Sequence, residues 1–243
     1  MPLTILLNGA QGRMGRAIAC AAPDRNAEIT GSIDLGDDAA SHVANCDVII
    51  DFSLREATQG IAELAVANGK PIVIGTTGHS PQEKDSIGAL SSKIPMVWAG
   101  NYSTGVNLLF HLARIAVEAL GEDFDSEVVE AHHRLKQDAP SGTAERLLEV
   151  LREGRGLDAD SVTHGRSGMT GERPRDQIGS HSLRGGDVVG DHMVWFAGEG
   201  ERVELIHRAT DRKIFAEGAL RAAHWVVKQG PGLYSMQDVL GLQ

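Results

Sequence analysis

The sequence predicts an α/β protein in two parts. The first part is a doubly wound parallel sheet, and the second is an α+β domain with a mixed or antiparallel sheet. Up to residue 98, short apolar runs alternate with helical patterns, which is typical of parallel sheets. After residue 177, three segments with alternating apolar and polar residues follow one another without a helical pattern between them. A chain of 243 residues is long enough for two such domains.

The first strand–turn–helix unit carries a glycine-rich turn. Residues 3–7 predict a buried strand, and residues 17–22 predict a helix that Pro23 ends. From Gly9 to Gly15 every third residue is glycine, which allows a tight turn and lets a pyrophosphate approach the helix start. This is the setting of a Rossmann-like dinucleotide-binding domain, although the spacing is G-x-x-G-x-x-G rather than the commoner G-x-G-x-x-G. The residues predicted to contact the cofactor here are Gly9, Ala10, Gln11, Gly12, Arg13 and Met14.

The second strand predicts the ribose contact. Residues 29–33 read as a strand that ends at Asp34, where a carboxylate can accept hydrogen bonds from the ribose hydroxyls. No lysine or arginine occurs between Asp34 and Arg55 to bind a 2′-phosphate. We therefore expect NADH to be the preferred cofactor, with NADPH as a usable alternative. The competing interpretation is that Asp34 only caps a loop.

The rest of the first part predicts three strands, at residues 46–53, 71–74 and 94–98, and helices at 56–67 and 81–91. Ligands of parallel sheets lie beyond the carboxyl ends of the strands, and two of the loops follow such ends. Each loop alone would read as an ordinary turn, but as a pair in this sheet they are predicted to hold the nicotinamide side of the cofactor. Their residues are Gly75, Thr76 and Thr77, and Ala99, Gly100, Asn101 and Tyr102.

The second part begins with a helical pattern at residues 105–120. Strands are predicted at 178–183, 188–196 and 202–208, with antiparallel pairing, and the polar, glycine-rich stretch 154–186 reads as a flexible interaction loop. A last helix at 214–227 is expected to return to the first domain. The predicted dinucleotide-binding domain is 1–103 with 213–243, and the predicted substrate-binding and oligomerisation domain is 104–212.

Residues 130–144 concentrate the reactive side chains. A strand runs into the adjacent pair His132 and His133, whose side chains point to opposite faces and so cannot do the same work. Lys136 follows, and a helix starts near Gly142, where free backbone N–H groups can bind a carboxylate. A histidine pair alone is more often structural, and a Ser-Gly-Thr segment alone is often an ordinary cap. Their combination favours a site with a proton-transfer histidine, a lysine and a carboxylate cradle.

The composition argues against several classes of protein. The net charge of −10 argues against a nucleic-acid partner and makes a local basic cluster more notable. The two cysteines, Cys20 and Cys46, make no disulfide framework and have no metal-ligand spacing. No apolar run approaches the length of a membrane span, and the first residues contain no basic segment of a signal peptide. We therefore expect a cytoplasmic protein without a membrane partner.

Three other classes compete with a nicotinamide-dependent reductase. A thiol-dependent aldehyde dehydrogenase needs a cysteine at its site, whereas Cys20 and Cys46 both fall in the nucleotide-binding half. A metal-dependent hydrolase is disfavoured because adjacent histidines on opposite faces cannot chelate one ion, so no metal is predicted. A non-catalytic dinucleotide sensor would leave Lys136 and the carboxylate cradle without a purpose.

Five stretches, taken in order, resemble the dihydrodipicolinate reductase family. They are residues 9–15, 75–78, 99–103, 130–144 and 185–192, so the resemblance covers most of the chain. It implies NAD(P)H-dependent reduction of a small dicarboxylate, 4-hydroxy-tetrahydrodipicolinate, to tetrahydrodipicolinate in lysine and diaminopimelate biosynthesis. It also implies a homotetramer built through the sheet of the second domain.

The resemblance assigns roles to individual positions. His132 would be the proton donor or acceptor, and Lys136 a second proton donor. The substrate carboxylates would be held by His133, Gly142 and Thr143. Two departures are visible, because the loop at 35–45 is short and the basic residue that often follows the ribose acid is absent. Both bear on the choice of cofactor and not on the reaction.

Overall fold

The computed structural model describes residues 1–242, which fall into two compact units. The first unit comprises Met1–Thr104 and the chain from Arg212 onward, and the second comprises Gly105–Asp211. In chain order the strands are β1 (Leu3–Asn8), β2 (Ala27–Ile33), β3 (Val48–Asp51), β4 (Ile72–Ile74), β5 (Pro95–Trp98), β6 (Asp125–His132), β7 (Val162–His164), β8 (Ile178–Arg184), β9 (Gly190–Ala197), β10 (Arg202–Ala209) and β11 (Gly232–Tyr234). The helices are α1 (Arg13–Ala21), α2 (Ala40–Val43), α3 (Arg55–Ala67), α4 (Pro81–Ala89), α5 (Thr104–Leu120), α6 (Gly142–Arg155), α7 (Lys213–Val226) and α8 (Met236–Leu240). None of the helices within residues 1–242 is long and apolar enough to cross a membrane.

The first unit contains a six-stranded sheet in the order β11-β5-β4-β3-β1-β2, and every neighbouring pair is parallel. The predicted doubly wound parallel sheet is therefore confirmed. The strand order reverses between β1 and β3, so a crevice opens there beyond the carboxyl ends of the strands. The elements β11, α2 and α8 were not predicted, because three to five residues are too few to show a periodic pattern.

Helices cover both faces of this sheet, which explains why its strands are apolar throughout. Ile5 and Leu7 of β1 pack into a cluster with α1, α7 and α8, whereas Leu6 between them packs with α2, α3 and α4. Helix α7 approaches the chain after β5 very closely. A Cβ atom on Gly218 of α7 would lie 1.7 Å from the carbonyl oxygen of Tyr102. This glycine therefore sets how near the last long helix can come to the core.

The second unit contains a mixed five-stranded sheet in the order β10-β9-β6-β8-β7. Strand β9 is antiparallel to both β6 and β10, whereas β8 is parallel to β6, and β7 is parallel to β8. The expectation of antiparallel pairing is thus right for β9 with β10 and wrong for β8. Two crossovers supply the reason, because parallel strands need such connections. Helix α6 carries the chain from the end of β6 back to the start of β7, and residues 165–177 carry it from β7 back to the start of β8.

The two faces of the mixed sheet differ. On one face, Val128 and Val194 pack with buried side chains of α5 and α6, including Leu109 and Leu147. Side chains alternate between faces along a strand, so the residues between these point the other way. That second face, which we call the open face, carries apolar side chains that are only partly buried or exposed. They are Val129, Leu183, Met193, Trp195 and Ile206.

The stretch at 154–186 is not the flexible loop that its composition suggested. It contains a short 3₁₀ turn at Ala159–Ser161 and strand β7, and it is pinned to the sheet by Glu127. Arg166 donates two hydrogen bonds to the Glu127 carboxylate, at 3.0 and 2.8 Å, and Arg173 donates another at 3.1 Å. Burial opposes ionisation, but the hydrogen bonds from Arg166, His181 and Arg173 lower the pKa of Glu127 to about 2. Arg166 and Arg173 therefore have a structural partner that the sequence pattern did not reveal.

Candidate active site

The glycine-rich turn between β1 and α1 is a backbone cradle that admits no side chain at two of its glycines. Gly9 has a φ of +82°, and a Cβ atom there would lie 2.3 Å from the carbonyl oxygen of Phe52. A Cβ atom on Gly15 would lie 2.2 Å from the carbonyl oxygen of Gly9. Gly12 is the N-cap of α1, and the first turn of this helix contains no acidic residue. The helix start can therefore present N–H groups to an anion without a carboxylate in its own first turn.

A buried carboxylate, Asp51 at the end of β3, holds the carboxyl edge of the parallel sheet together. Its Oδ1 accepts hydrogen bonds from Asn8 Nδ2 at 2.7 Å and Ser53 Oγ at 2.5 Å. Its Oδ2 accepts from the hydroxyls of Thr58 and Thr76 at 3.0 and 2.9 Å. The segments after β1, β3 and β4 are thus tied to one group. Because the predicted cofactor residue Thr76 uses its hydroxyl in this network, its backbone remains for contact with a ligand.

A pocket of about 440 Å³ opens beside the glycine-rich turn, at the carboxyl ends of β1, β2 and β3. Gly9, Gly12, Asp34 and Asp37 are among its lining residues, and no lysine or arginine of residues 1–242 lines it. Asp34 Oδ2 accepts a hydrogen bond from the backbone N–H of Gln11 at 3.0 Å, so the predicted ribose acid also braces the turn. Carboxylate acceptors beside a bare helix start fit the ribose and the pyrophosphate of a dinucleotide.

The two loops predicted to hold the nicotinamide follow β4 and β5 on the same edge of the sheet. A Cβ atom on Gly75 would lie 2.2 Å from the ring of Phe52, so this ring packs on the loop backbone. A Cβ atom on Gly100 would lie 3.9 Å from Cγ2 of Thr77, which places the two loops side by side. Tyr102 is buried, and its hydroxyl donates to a carbonyl oxygen of β4 at 2.7 Å. Its ring therefore belongs to the core beneath the loops.

In the second unit, the carboxylate of Glu130 is hydrogen-bonded to Nδ1 of His132, which ends β6 on the same face. Because a carboxylate only accepts, Nδ1 carries the proton and Nε2 keeps its lone pair. Burial lowers the pKa of His132, and the positive charges of Lys136 and Arg184 lower it further. Glu130 raises this pKa, but the net shift is downward. The imidazole is therefore neutral at pH 7 and can accept a proton through Nε2.

Glu130 is held by more than the histidine. Arg184 of β8 donates two hydrogen bonds to its carboxylate, at 2.9 and 2.8 Å, and the backbone N–H of Ser141 donates a third at 3.3 Å. Burial would raise the pKa of Glu130, but hydrogen bonds from Arg184, Ser182 and His132 outweigh it, and the pKa lies below its ordinary value. The carboxylate is thus ionised although it is buried.

The start of α6 is the predicted carboxylate cradle. Ser141 is the N-cap, and its Oγ accepts a hydrogen bond from the N–H of Ala144 at 3.2 Å. Gly142 and Thr143 are the first two residues of the helix, at its positive end. A Cβ atom on Gly142 would meet nothing within 4 Å, which leaves room for an anion to approach.

Lys136 and His133 lie in the segment that joins β6 to this cradle. The Lys136 ammonium donates to both carboxylate oxygens of Asp138, at 2.9 and 2.8 Å. Asp138 is largely exposed, so this ion pair is open to exchange with a ligand carboxylate. His133 follows His132 directly, and its carbonyl oxygen accepts from the N–H of Lys136 at 3.1 Å.

A further histidine, His192 of β9, completes the cluster. It stands opposite Glu130 in the sheet, and its Nε2 lies 3.1 Å from Ser141 Oγ. Its ring meets that of His132 edge to face, with 5.1 Å between the centroids. His192 is only 4% exposed, and burial, reinforced by the His132 imidazole, lowers the pKa of His192 to about 4.

The structure brings the predicted His132, Lys136 and helix start into one region and adds residues that sequence reasoning missed. Glu130 shares a strand face with His132, so strand alternation could have found it. Arg184 and His192 reach the site through strand pairing, opposite His132 and Glu130, which the local sequence does not reveal. Within residues 1–242, no group of three or more histidine, cysteine, aspartate or glutamate side chains could hold a metal ion.

Comparisons with known proteins match one family over both units. The family model "Dihydrodipicolinate reductase, N-terminus" matches residues 3–102, and "Dihydrodipicolinate reductase, C-terminus" matches residues 105–240. The 4-hydroxy-tetrahydrodipicolinate reductase of Akkermansia muciniphila is 52% identical over 99% of this chain and 98% of its own. The protein of that name from Saccharophagus degradans is 46% identical over 100% of both chains.

A solved structure agrees with these matches at the level of the fold. The dipicolinate-bound dihydrodipicolinate reductase from Paenisporosarcina sp. TG-14 superposes with a TM-score of 0.79 at 24% sequence identity. The similarity covers 98% of this chain and 99% of that one.

The burial of neutral His192 predicts an acid-sensitive fold. The pKa of His192 is about 4 in the folded protein and 6.5 in an ordinary histidine, so the unfolded chain binds more protons between these values. The contribution of His192 to stability is complete above pH 6.5 and is lost as the pH falls towards 4, by about 3 kcal/mol in all. Urea unfolding at a series of pH values should show this slope in the wild type, and His192→Gln should flatten it.

Glu127 provides the control, because it affects the stability of the fold in a different pH range. Its pKa is about 2 in the folded protein and 4.5 ordinarily, so its contribution is lost only below pH 4.5. Glu127→Gln should leave the slope above that pH unchanged. An undiminished slope between pH 6.5 and 4.5 in His192→Gln would show that another group is responsible.

Proposed function

Because this chain belongs to the dihydrodipicolinate reductase family, we propose that it reduces 4-hydroxy-tetrahydrodipicolinate to tetrahydrodipicolinate with NADH or NADPH, a step of lysine and diaminopimelate biosynthesis. The first unit binds the dinucleotide and the second binds the dicarboxylate. The observation that carries the proposal is the carboxylate of Glu130, which joins His132 to the start of α6. A proton-transfer group and an anion site are what this substrate requires.

The reaction replaces a hydroxyl group of the substrate by hydrogen. When bound, the reduced nicotinamide supplies the hydride to C4, and the hydroxyl leaves as water once it has received a proton. His132 accepts or donates a proton through Nε2, because its Nδ1 is committed to Glu130. Lys136 is the second proton donor, and its pairing with exposed Asp138 keeps the ammonium beside the histidine segment. Each group handles a proton at a defined nitrogen atom.

The substrate is a dianion, so its binding requires local positive potential in a chain of net charge −10. Gly142 and Thr143 offer backbone N–H groups at the start of α6, and the helix dipole adds to their attraction for a carboxylate. His133 holds the other carboxylate together with Lys136. Arg184 is not assigned to a substrate carboxylate, because both of its terminal nitrogens bind Glu130.

The assignment predicts that His132→Gln and Lys136→Ala lower kcat by about 10²-fold or more, since each removes a proton-transfer group. The measurement is oxidation of NADH by enzyme supplied with freshly made synthase product from pyruvate and aspartate semialdehyde. NADH affinity, followed by its fluorescence, should stay unchanged, because both residues lie in the second unit.

The matched control is His181→Gln, which removes a histidine that binds a buried glutamate of β6 on the open face. It should retain activity. Full turnover by His132→Gln would remove this residue from the mechanism. An absence of turnover by the wild type, with normal NADH binding, would contradict the proposed reaction.

We also propose that NADH is the preferred cofactor. The ribose end of the pocket carries the carboxylates of Asp34 and Asp37, and the N–H of Asp34 donates to Asp37 at 2.9 Å. A 2′-phosphate would meet two negative charges without a cation, whereas ribose hydroxyls would find acceptors. Leu35 lines the same pocket and is 84% exposed, so its side chain can be changed without disturbing the core.

Leu35→Arg should therefore raise kcat/KM for NADPH relative to NADH by about tenfold or more, because a guanidinium binds phosphate strongly. Steady-state kinetics with both cofactors gives this ratio. The control is Leu233→Arg, which places the same charge at an exposed site on β11, at the opposite edge of the sheet. A wild-type preference for NADPH would overturn the proposal.

The open face supports a homotetramer. Val129, Met193 and Trp195 lie there, with Leu183 and Ile206 58% and 44% exposed. A run of apolar side chains on one sheet face is typical of a protein–protein contact. We therefore expect this face to be buried against other copies of the chain.

Sedimentation should then give four times the chain mass of 25.9 kDa. Ile206→Glu should dissociate the assembly, because a charge buried at an interface without a partner is costly. Leu112→Glu changes a similarly exposed side chain on α5 and should leave the mass unchanged. A monomeric wild type would contradict this proposal.

We place the enzyme in the cytoplasm, where the free thiols of Cys20 and Cys46 stay reduced. Cell fractionation tests the location. Recovery of the enzyme outside the cytoplasmic fraction would contradict it.

A further inference from the structure

The carboxylate of Glu130 accepts more hydrogen bonds than a role in proton transfer would require. The side chain is 1% exposed, and it accepts hydrogen bonds from three separate segments of the second unit. His132 ends β6, Arg184 ends β8, and Ser141 precedes α6. None of these contacts leaves Glu130 open to a substrate. Its function in the reaction must therefore be exerted through the groups that it holds.

The two oxygens of the carboxylate divide these partners. Oε2 accepts from His132 Nδ1 and from one terminal nitrogen of Arg184. Oε1 accepts from the other nitrogen of Arg184 and from the N–H of Ser141. Arg184 also donates to the carbonyl oxygen of Asp138 at 2.7 Å, so the loop that carries Lys136 is tied to the same group. One carboxylate thus joins the histidine, the lysine loop and the start of α6.

The surroundings of His132 require this ring to stay in one orientation. A Cβ atom on Gly190 of β9 would lie 3.0 Å from His132 Nε2, so a larger residue at position 190 would press on the ring. The edge-to-face contact with His192 fixes the plane of the ring from the same strand. With Nδ1 bound to Glu130, Nε2 is the one ring nitrogen left for chemistry.

We propose that Glu130 is a positioning residue for the reduction, which holds His132 in its Nδ1–H tautomer and joins the proton-transfer nitrogen to the carboxylate cradle at Gly142 and Thr143 through Ser141. This inference rests on the proposed function of His132 and of the cradle. The hydride acceptor carbon and the carboxylates of one small substrate have a fixed separation. The proton-transfer nitrogen and the cradle must therefore keep a fixed separation too.

The alternative is that Glu130 only completes a buried ion pair that stabilises the sheet. Glu127 offers the comparison, because it lies three residues earlier on the same strand and faces the other way. It accepts two hydrogen bonds from Arg166 and one from a histidine, His181, as Glu130 does from Arg184 and His132. Glu130→Gln and Glu127→Gln should both lower the stability of the fold, whereas only Glu130→Gln should change the state of the His132 ring.

Glu130→Gln gives a specific signature. The glutamine has one oxygen, and Ser141 and Arg184 both donate toward the position of Oε1. With the oxygen there, the amide NH₂ group faces His132 Nδ1 and donates to it, so the ring proton moves to Nε2. The variant should therefore convert His132 from the Nδ1–H to the Nε2–H tautomer.

The pH dependence should change in a direction that does not depend on whether His132 acts as acid or base. The charged or titratable groups that act on the ring are Glu130 of β6, Arg184 of β8, His192 of β9 and Lys136 of the following loop. Glu130 alone raises the pKa of His132, and Lys136 and Arg184 lower it. Loss of the carboxylate charge therefore moves the His132 titration to lower pH, by about one unit or more.

The test combines nitrogen-15 NMR of the histidine rings with kinetics, on the full-length enzyme. In the wild type, His132 should show the Nδ1–H tautomer above its pKa. In Glu130→Gln it should show the Nε2–H tautomer and a lower pKa, and kcat should fall about 10²- to 10⁴-fold. The affinity for pyridine-2,6-dicarboxylate should fall as well, while NADH affinity should not change. Glu127→Gln should keep the wild-type tautomer and the wild-type pH profile of kcat.

The outcomes separate this inference from the proposed function. A wild-type His132 in the Nε2–H form would overturn the inference without any variant, even if Glu130→Gln failed to fold. An unchanged tautomer and pKa in folded Glu130→Gln would also overturn it. An active His132→Gln would overturn the inference, because it would remove His132 from the mechanism, while leaving the proposed reaction in place. An absence of turnover by the wild type would instead refute the proposed function, and the NMR result would still report whether Glu130 sets the state of the ring.

Discussion

A buried carboxylate must be given hydrogen-bond partners, and the geometry of both candidate sites depends on this requirement. Asp51 is bound by Asn8, the residue before the glycine-rich turn, and Glu130 is bound by His132. In each case the donors come from different segments of the chain, so the carboxylate can be satisfied only when those segments are in place. Each carboxylate thereby fixes the relative positions of the segments that donate to it.

The two carboxylates are satisfied by different means, and the difference suits their surroundings. Asp51 accepts only from neutral groups, two of them threonine hydroxyls, so the edge that receives a dinucleotide gains no fixed cation from it. Glu130 is paired with Arg184, and the pair is neutral in sum. A neutral pair does not repel an anionic substrate, whereas an unpaired Glu130 would. Replacing one member of such a pair typically costs about 3–5 kcal/mol, because the other is left buried with its charge.

The sequence predicted those features that are repeated along a strand or confined to one turn. The apolar runs of β1 and β3 indicated a sheet covered on both faces, and the glycines from Gly9 to Gly15 indicated the cradle before α1. The partners of Glu130 lie outside the reach of such patterns, because Arg184 is separated from it by α6, β7 and most of β8. The parallel pairing of β8 with β6 brings it there, whereas the alternating pattern of residues 178–183 had predicted antiparallel pairing. Strand order and register depend on the whole chain, so the long-range half of the site could not be read locally.

The distribution of charge bears on how an acidic chain would bind the two anionic molecules of the proposed reaction. Two basic groups near the candidate substrate site are already paired, Arg184 with Glu130 and Lys136 with Asp138. The pair of Arg184 and Glu130 is buried and bidentate, so the Arg184 guanidinium does not exchange its partner for a ligand. The second includes an exposed aspartate, and such pairs contribute only about 0–1 kcal/mol, so a substrate carboxylate can take the place of Asp138. In the proposed function, attraction for the dianion would therefore come from His133, from one exchangeable lysine, Lys136, and from backbone N–H groups at the start of α6.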